Sequence, residues 1–238
     1  MSLNKKLFWG GLGWAFGGPI GAIFGYTIAS LSDEKKNQWS RRSSSTKPAD
    51  FIISILVLFA KVMKADGQLL KSELDYVKQF LKQQFGVQQA RELMPVLKDI
   101  LEQEYPLKDV CRQIQRSMDH PSRLQLVHVL FGLSAADGHV HPDEVSIIFT
   151  ISNYLNVNTN DFESIKAMFI ENKESAYKIL EISQKSSDSE LKKGFRKMAN
   201  KYHPDKVAHL GPEMQTLAEE KFKAVNDAYQ KIKKERGI

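Results

Sequence analysis

Cysteine is almost absent from this sequence, since Cys111 is the one cysteine among 238 residues. A single thiol cannot form an intrachain disulfide or a multi-thiolate metal site, so folding depends on core packing. This excludes a secreted disulfide scaffold and favours a reducing compartment. Strand-like alternation of apolar and polar residues over a useful length is also lacking, which predicts an all-α protein.

Charge is unevenly distributed along the chain. Residues 1–50 carry 7 Lys and Arg against 3 Asp and Glu, residues 51–174 carry 13 against 16, and residues 175–238 carry 14 against 9. Basic ends around a mildly acidic middle indicate separate segments that meet different partners. The hydrophobic share of 42% and the charged share of 26% are near globular averages, which excludes a fully disordered or polytopic membrane protein.

Residues 7–31 contain no charged side chain, and as a helix they are long enough to cross a hydrocarbon layer of ~30 Å. A cleaved signal peptide and a soluble glycine-rich hairpin are the competing interpretations, although the run is longer than a usual signal sequence and lacks a convincing cleavage site. We expect a transmembrane anchor over residues 1–31. More cations follow the span than precede it, which predicts a single-pass protein of a bacterial-type inner membrane with cytoplasmic C-terminal domains.

Four glycines recur every four residues within the predicted anchor. In a helix they form a smooth stripe at which a second backbone can approach closely, which predicts a homodimer through the membrane helix. These residues are Gly13, Gly17, Gly21 and Gly25. Residues 32–48 then combine charged and small polar side chains with nothing to bury, which predicts a flexible linker.

The middle of the sequence contains an internal repeat. An apolar run over residues 51–63 is too short to span a membrane and is typical of a buried helix in a soluble bundle. Residues 65–67 and 136–138 both read Ala-Asp-Gly, 71 residues apart, each with a glutamate seven residues after its aspartate. A duplication explains both copies. Further helix patterns cover residues 71–85 and 87–104, separated by Gly86, and continue to about residue 171.

Each acidic turn is similar to the second half of an EF-hand loop, but the first half lacks side-chain oxygens. One interpretation is an interhelical turn, in which glycine is left-handed, aspartate accepts backbone amides and glutamate caps the next helix. The other is a weak divalent-metal or partner site formed by Asp66, Glu73, Asp137 and Glu144. Zinc ligands could be added by His139, His141 and Asp143.

Residues 49–174, with these paired turns, resemble the TerB family, an all-helical domain named for tellurite resistance. The resemblance implies a helical bundle with a metal-linked or regulatory role.

Residues 175–238 place His203-Pro204-Asp205 between two amphipathic helix patterns. In the first helix, over about 189–202, an apolar stripe packs on a similar stripe of the last helix, so that the two form an antiparallel hairpin. Pro204 ends the first helix and exposes its two neighbours in the connecting loop. Five cations occupy the other faces of that helix: Lys192, Lys193, Arg196, Lys197 and Lys201.

This C-terminal segment resembles the J domain of DnaJ-type co-chaperones. The resemblance implies that the tripeptide and the five cations bind a DnaK-type chaperone and stimulate its ATP hydrolysis. The protein would then regulate a partner ATPase without being an enzyme and without a cofactor. Two departures from the family pattern are Glu181, where many members have glycine, and Gly194, which costs ~1 kcal/mol in a helix relative to alanine.

The order of the three segments resembles that of membrane-anchored members of this family. A membrane-tethered co-chaperone is therefore the leading prediction. The alternative is a TerB-like metal-binding or stress-response protein with an auxiliary J domain, which chelator-sensitive folding of residues 49–174 would favour. No nucleic-acid partner is expected, because the basic face lacks aromatic side chains on which bases could stack.

Overall fold

The computed structural model describes residues 46–172, 174–210 and 212–238. Every regular element in these ranges is helical, which confirms the predicted all-α class for this part of the chain. The predicted anchor, its glycines Gly13, Gly17, Gly21 and Gly25, and the linker up to residue 45 lie outside the described residues. None of the helices in the described ranges is long and apolar enough to cross a membrane.

The first part of the described chain is a bundle built around two buried helices, α1 and α4. Its helices are α1 (Thr46–Met63), α2 (Lys71–Leu101), α3 (Leu107–Ser117), α4 (His120–Ser134), α5 (Pro142–Tyr154) and α6 (Thr159–Phe169). Helix α1 begins three residues before the predicted domain start at residue 49. It packs against α2, α4 and α5, and its residues from Leu56 to Phe59 are completely buried. The predicted buried helix at the centre of a bundle is confirmed.

Helix α2 is divided at Gly86, as the sequence predicts. Gly86 has a φ of 82° and a ψ of 165°, which are not helical values. A positive φ of this size is accessible to glycine because it has no Cβ. The two segments therefore change direction at this residue, and the second continues past Pro95 to Leu101.

The C-terminal part is a helical hairpin preceded by a short helix. It comprises α7 (Ser175–Ile179), α8 (Asp188–Lys201), a 3₁₀ helix (Pro204–Leu210) and α9 (Pro212–Arg236). Helices α8 and α9 are antiparallel, since Phe195 stacks on Tyr229 with ring centroids 4.4 Å apart and Arg236 donates to Asp188. The predicted hairpin is confirmed.

Gly194 lets α8 lie close to the end of α7. A Cβ at this position would be 2.7 Å from Cγ2 of Ile182 and 3.2 Å from the carbonyl oxygen of Leu180. Contacts this short force neighbouring atoms to move. The glycine that appears unfavourable from helix propensity is therefore required by packing.

The two parts share one apolar core. Buried side chains from α1 through α9 form a continuous cluster, and α6 packs along α7. The Ser164 hydroxyl in α6 donates a hydrogen bond of 3.0 Å to the carbonyl oxygen of Ile179 in α7. The C-terminal hairpin is consequently seated on the helical bundle.

Candidate partner-binding site

The tripeptide His203-Pro204-Asp205 occupies the turn between α8 and α9, where the sequence predicts it, and its last two residues begin the 3₁₀ helix. The side chains of His203 and Asp205 are 49% and 83% exposed, and their Nδ1 and Oδ2 atoms are 3.4 Å apart. The Asp205 backbone N–H points to Nδ1 of His203 at 3.3 Å, and Lys206 N–H donates to the His203 carbonyl at 3.0 Å. The turn is compact, and it presents both polar side chains to solvent.

The cations of α8 divide into an exposed set and an inward one. Lys192, Lys193 and Arg196 are exposed, and Lys197 is 63% exposed although its ammonium lies 2.6 Å from Glu181. Lys201 is only 18% exposed and pairs with two carboxylates. The structure thus exposes four of the five predicted cations on the helix that leads into the tripeptide.

Glu181 is held in a left-handed conformation, with a φ of 52°. Its side chain is only 6% exposed, and its two oxygens accept hydrogen bonds of 2.6 Å from Lys197 and Lys201. Burial alone would raise the pKa of this carboxyl, but the two ammonium groups hold the pKa below its ordinary value. Glycine, which the resemblance to the J domain implies at this position, adopts such a φ without a steric penalty.

Sequence reasoning missed Asp161, which connects the bundle to α8. This carboxylate is 1% exposed and lies in the first turn of α6. One oxygen pairs with the Lys201 ammonium, and the other lies 3.1 Å from Nε2 of His120 and accepts from the Asn158 amide at 3.1 Å. Lys201 is 40 residues away along the chain, so no local pattern signals the contact.

A buried lysine was also missed. Lys221 of α9 is 2% exposed, and its ammonium lies 5.1 Å from the ring centroid of Tyr202. Burial, together with the nearby Lys201 ammonium, lowers the pKa of Lys221 well below its ordinary value. Burial and the Lys221 charge likewise lower the pKa of His128 in α4. Polar groups from both parts therefore meet beneath the tripeptide.

The acidic turns of the repeat follow the turn-and-cap interpretation. Gly67 and Gly138 have φ values of 79° and 90°. Asp66 accepts the Gln68 N–H at 2.9 Å, and Asp137 accepts the His139 N–H at 2.8 Å. Each aspartate thereby closes its own turn.

The paired glutamates cap the helices that follow these turns. Glu73 accepts the Leu70 N–H at 2.9 Å, and Glu144 accepts the His141 N–H at 3.0 Å and the Ser134 hydroxyl at 2.7 Å. Burial raises the pKa of Glu73 to about 7, against the lowering effect of the Leu70 N–H, and the adjacent Glu144 carboxyl adds to the rise.

The four residues of the alternative metal-site interpretation are thus engaged in local hydrogen bonds. The described ranges contain no group of three or more His, Cys, Asp or Glu side chains placed to hold a metal ion. In the second turn His139 is exposed, and Nδ1 of His141 lies 3.7 Å from Oδ2 of Asp143. The hydrogen-bonding pattern therefore supports the turn-and-cap interpretation.

Comparison with known families assigns the two parts separately. Residues 53–167 match the family described as tellurite resistance protein TerB. Residues 175–237 match the DnaJ domain. No solved structure matches the chain.

Similar proteins include several co-chaperones named DjlA. The protein from Photorhabdus laumondii is 25% identical, with 97% of this chain and 99% of the relative covered. Those from Vibrio cholerae and Haemophilus influenzae are 26% and 23% identical, covering 82% and 95% of this chain and 81% and 96% of the relatives. With both domains matched in this order, the chain is a DjlA-like member of the DnaJ family, in which a TerB domain precedes a C-terminal J domain.

Proposed function

We propose that this protein is a co-chaperone that binds a DnaK-type chaperone through its J domain and stimulates ATP hydrolysis by that partner. The main support is the exposed tripeptide turn that directly follows a helix with four exposed cations. The names of the DjlA relatives point to the same role. In this proposal His203, Pro204, Asp205, Lys192, Lys193, Arg196 and Lys197 face the chaperone.

The geometry suits recognition of an acidic partner surface. Exposed cations raise the rate of encounter with an anionic surface and select against basic ones. Pro204 restricts the turn, so binding costs little conformational entropy at the tripeptide. Because a ligand shifts an equilibrium only by binding one state more tightly, the J domain must prefer the hydrolysis-competent state of the chaperone.

Steady-state ATP turnover by the host's DnaK-type chaperone tests this proposal. The measurement compares the chaperone alone with the chaperone plus increasing concentrations of the full chain. We expect turnover to rise to a plateau. Unchanged turnover at every concentration would contradict the proposed function.

We also propose that residues 1–31 tether the protein to the inner membrane with both domains in the cytoplasm. The support is the uncharged run over residues 7–31 and the excess of cations after it. We expect the full chain to stay in the membrane pellet after carbonate extraction and a chain lacking residues 1–31 to be released. Recovery of the full chain in the soluble fraction would contradict the tether.

The glycine stripe of the proposed anchor supports self-association. Lipid provides no hydrophobic drive for helix pairing, so close backbone contact must stabilise the dimer. We expect Gly17→Leu and Gly21→Leu to reduce the yield of crosslinked dimer in membranes, whereas Ala22→Leu, which lies off the stripe, should not. Equal yields in all variants would contradict pairing through the stripe.

A further inference from the structure

Residues on both sides of the tripeptide contact the TerB domain. Before it, Lys201 pairs with Asp161 of α6. After it, Nε2 of His209 lies 3.4 Å from the Ser122 hydroxyl and 3.8 Å from Oδ2 of Asp119, at the start of α4. The tripeptide itself remains exposed between these contacts.

The base of the same turn rests on α4. Tyr202 and Val207 are each 4% exposed, and with Leu124 and Gln125 of α4 they line a gap of only about 10 Å³. A gap of this size holds one water molecule at most. The turn is therefore packed against the TerB domain while its polar tip faces solvent.

Asp161 has the partners that a buried carboxylate requires. A buried carboxylate is costly unless it is paired and hydrogen-bonded. Asp161 has an ammonium, an imidazole and an amide within bonding distance, and it lies at the positive end of α6. Separation of Lys201 from Asp161 would leave a buried charge with fewer partners, which disfavours breaking the contact.

Lys201 thus differs from the other cations of α8. It is compensated by Asp161 and Glu181, whereas Lys192, Lys193 and Arg196 are exposed. A cation neutralised inside the protein contributes little attraction for an acidic partner. Its place at the last residue of α8, two residues before His203, allows it to fix where the turn begins.

We propose that the TerB domain positions the tripeptide for the chaperone, and that Asp161 is the positioning residue, acting through Lys201. This inference rests on the proposed function. The exposed cations govern association, whereas the orientation of the tripeptide governs stimulation. Loss of the Asp161–Lys201 contact should therefore lower the maximal stimulation of ATP hydrolysis. The half-saturating concentration of the chain should stay close to the wild-type value.

The test uses the full chain and titrates it against the DnaK-type chaperone. Asp161→Asn and Lys201→Gln should each lower maximal stimulation about fivefold, a size typical of coupling between sites. The double variant should show no further loss, because both changes break one contact. Lys201→Arg keeps the cation and should retain most of the stimulation.

Glu163→Gln is the matched control, since it removes one negative charge from the same helix at a residue that pairs with Lys166 rather than Lys201. It should leave the maximal stimulation and the half-saturating concentration unchanged. The NMR signals of the His203 ring should shift in Asp161→Asn and Lys201→Gln and stay in place in the control. If circular dichroism shows that Asp161→Asn does not fold, the maximal stimulation by Lys201→Gln is compared with that by Lys201→Arg. The proposal requires a loss in Lys201→Gln that Lys201→Arg does not show.

Three results would overturn the proposal: an unchanged maximum in Lys201→Gln, a change confined to the half-saturating concentration, or additive losses in the double variant. Absence of stimulation by the wild-type chain would instead refute the proposed function on which the inference rests. The two failures are therefore distinguishable.

Discussion

Asp161 and Lys201 show how single residues join the two domains, and Glu181 pairs with Lys201 within the J domain. Each of the two carboxylates is almost completely buried and has more than one donor. An ion pair of this kind gives little net stability compared with apolar packing, but removal of one partner leaves an uncompensated charge. Its main consequence is a fixed geometry between α6 and α8.

Glu73 gives a pH dependence that can be measured. Its pKa is raised in the folded state to about 7 from 4.5, so the folded protein binds more protons than the unfolded chain between these values. The free energy of unfolding should therefore fall as pH rises from 4.5 to 7. Glu73→Gln keeps an oxygen that can accept the Leu70 N–H. It should stabilise the protein by about 1–3 kcal/mol at pH 8 and have little effect near pH 4.5.

Denaturant unfolding at several pH values measures this difference. The control is Glu102→Gln, because Glu102 is exposed at the end of α2. It should shift stability by no more than about 0.5 kcal/mol at any pH. A stability difference between Glu73→Gln and wild type that does not change with pH would refute the assignment of the raised pKa to this residue.

At the scale of elements, the acidic turns were predictable because their interactions are local. Aspartate bonds an amide two residues on, glycine adopts a positive φ, and glutamate reaches back three residues. These contacts depend on spacing that can be read from the sequence. The approach of Glu144 to Glu73 was not predictable, because it depends on how the two halves of the repeat pack.

At Gly194 of α8, packing and helix propensity predict opposite effects of an alanine substitution on stability. Propensity alone predicts that Gly194→Ala stabilises α8 by ~1 kcal/mol. The structure predicts the opposite sign, a loss of ~1–3 kcal/mol, because the new Cβ would press on Ile182 and the Leu180 carbonyl. Asn200→Ala on the exposed side of the same helix should give a small gain. Thermal unfolding of both variants measures the signs, and stabilisation by Gly194→Ala would contradict the observed helix contact.

The exposed face of α8 gives an association prediction. Reversal of two charges, in Lys193→Glu with Arg196→Glu, should raise the half-saturating concentration of the chain about tenfold at low salt. The effect should shrink at 1 M salt, where the screening length is ~3 Å. Maximal stimulation should be largely retained.

Lys231→Glu with Lys234→Glu is the matched control for this pair. Both residues are exposed lysines three positions apart on α9, so the change in net charge is identical. If the two double variants weakened association equally, net charge would explain the effect and the α8 face would have no special role.

For the whole molecule, the sequence predicted the order of domains and the hairpin, but not how the domains meet. Apolar stripes and the tripeptide are visible in a linear pattern. The burial of Lys221, and the pairing of Lys201 with Asp161 rather than with solvent, follow from contacts between segments distant along the chain. For this reason the sequence pattern groups Lys201 with the other cations of α8, whereas the structure turns it inward.

The most direct test of the proposed site is ATP turnover by the DnaK-type chaperone with the full chain carrying His203→Gln. His203 is half exposed in a turn, so the variant should unfold at the wild-type temperature and yet lose stimulation. His139→Gln changes an exposed histidine of the TerB domain and should stimulate like the wild type. Full stimulation by a folded His203→Gln variant would contradict the assignment of this turn as the chaperone-binding site.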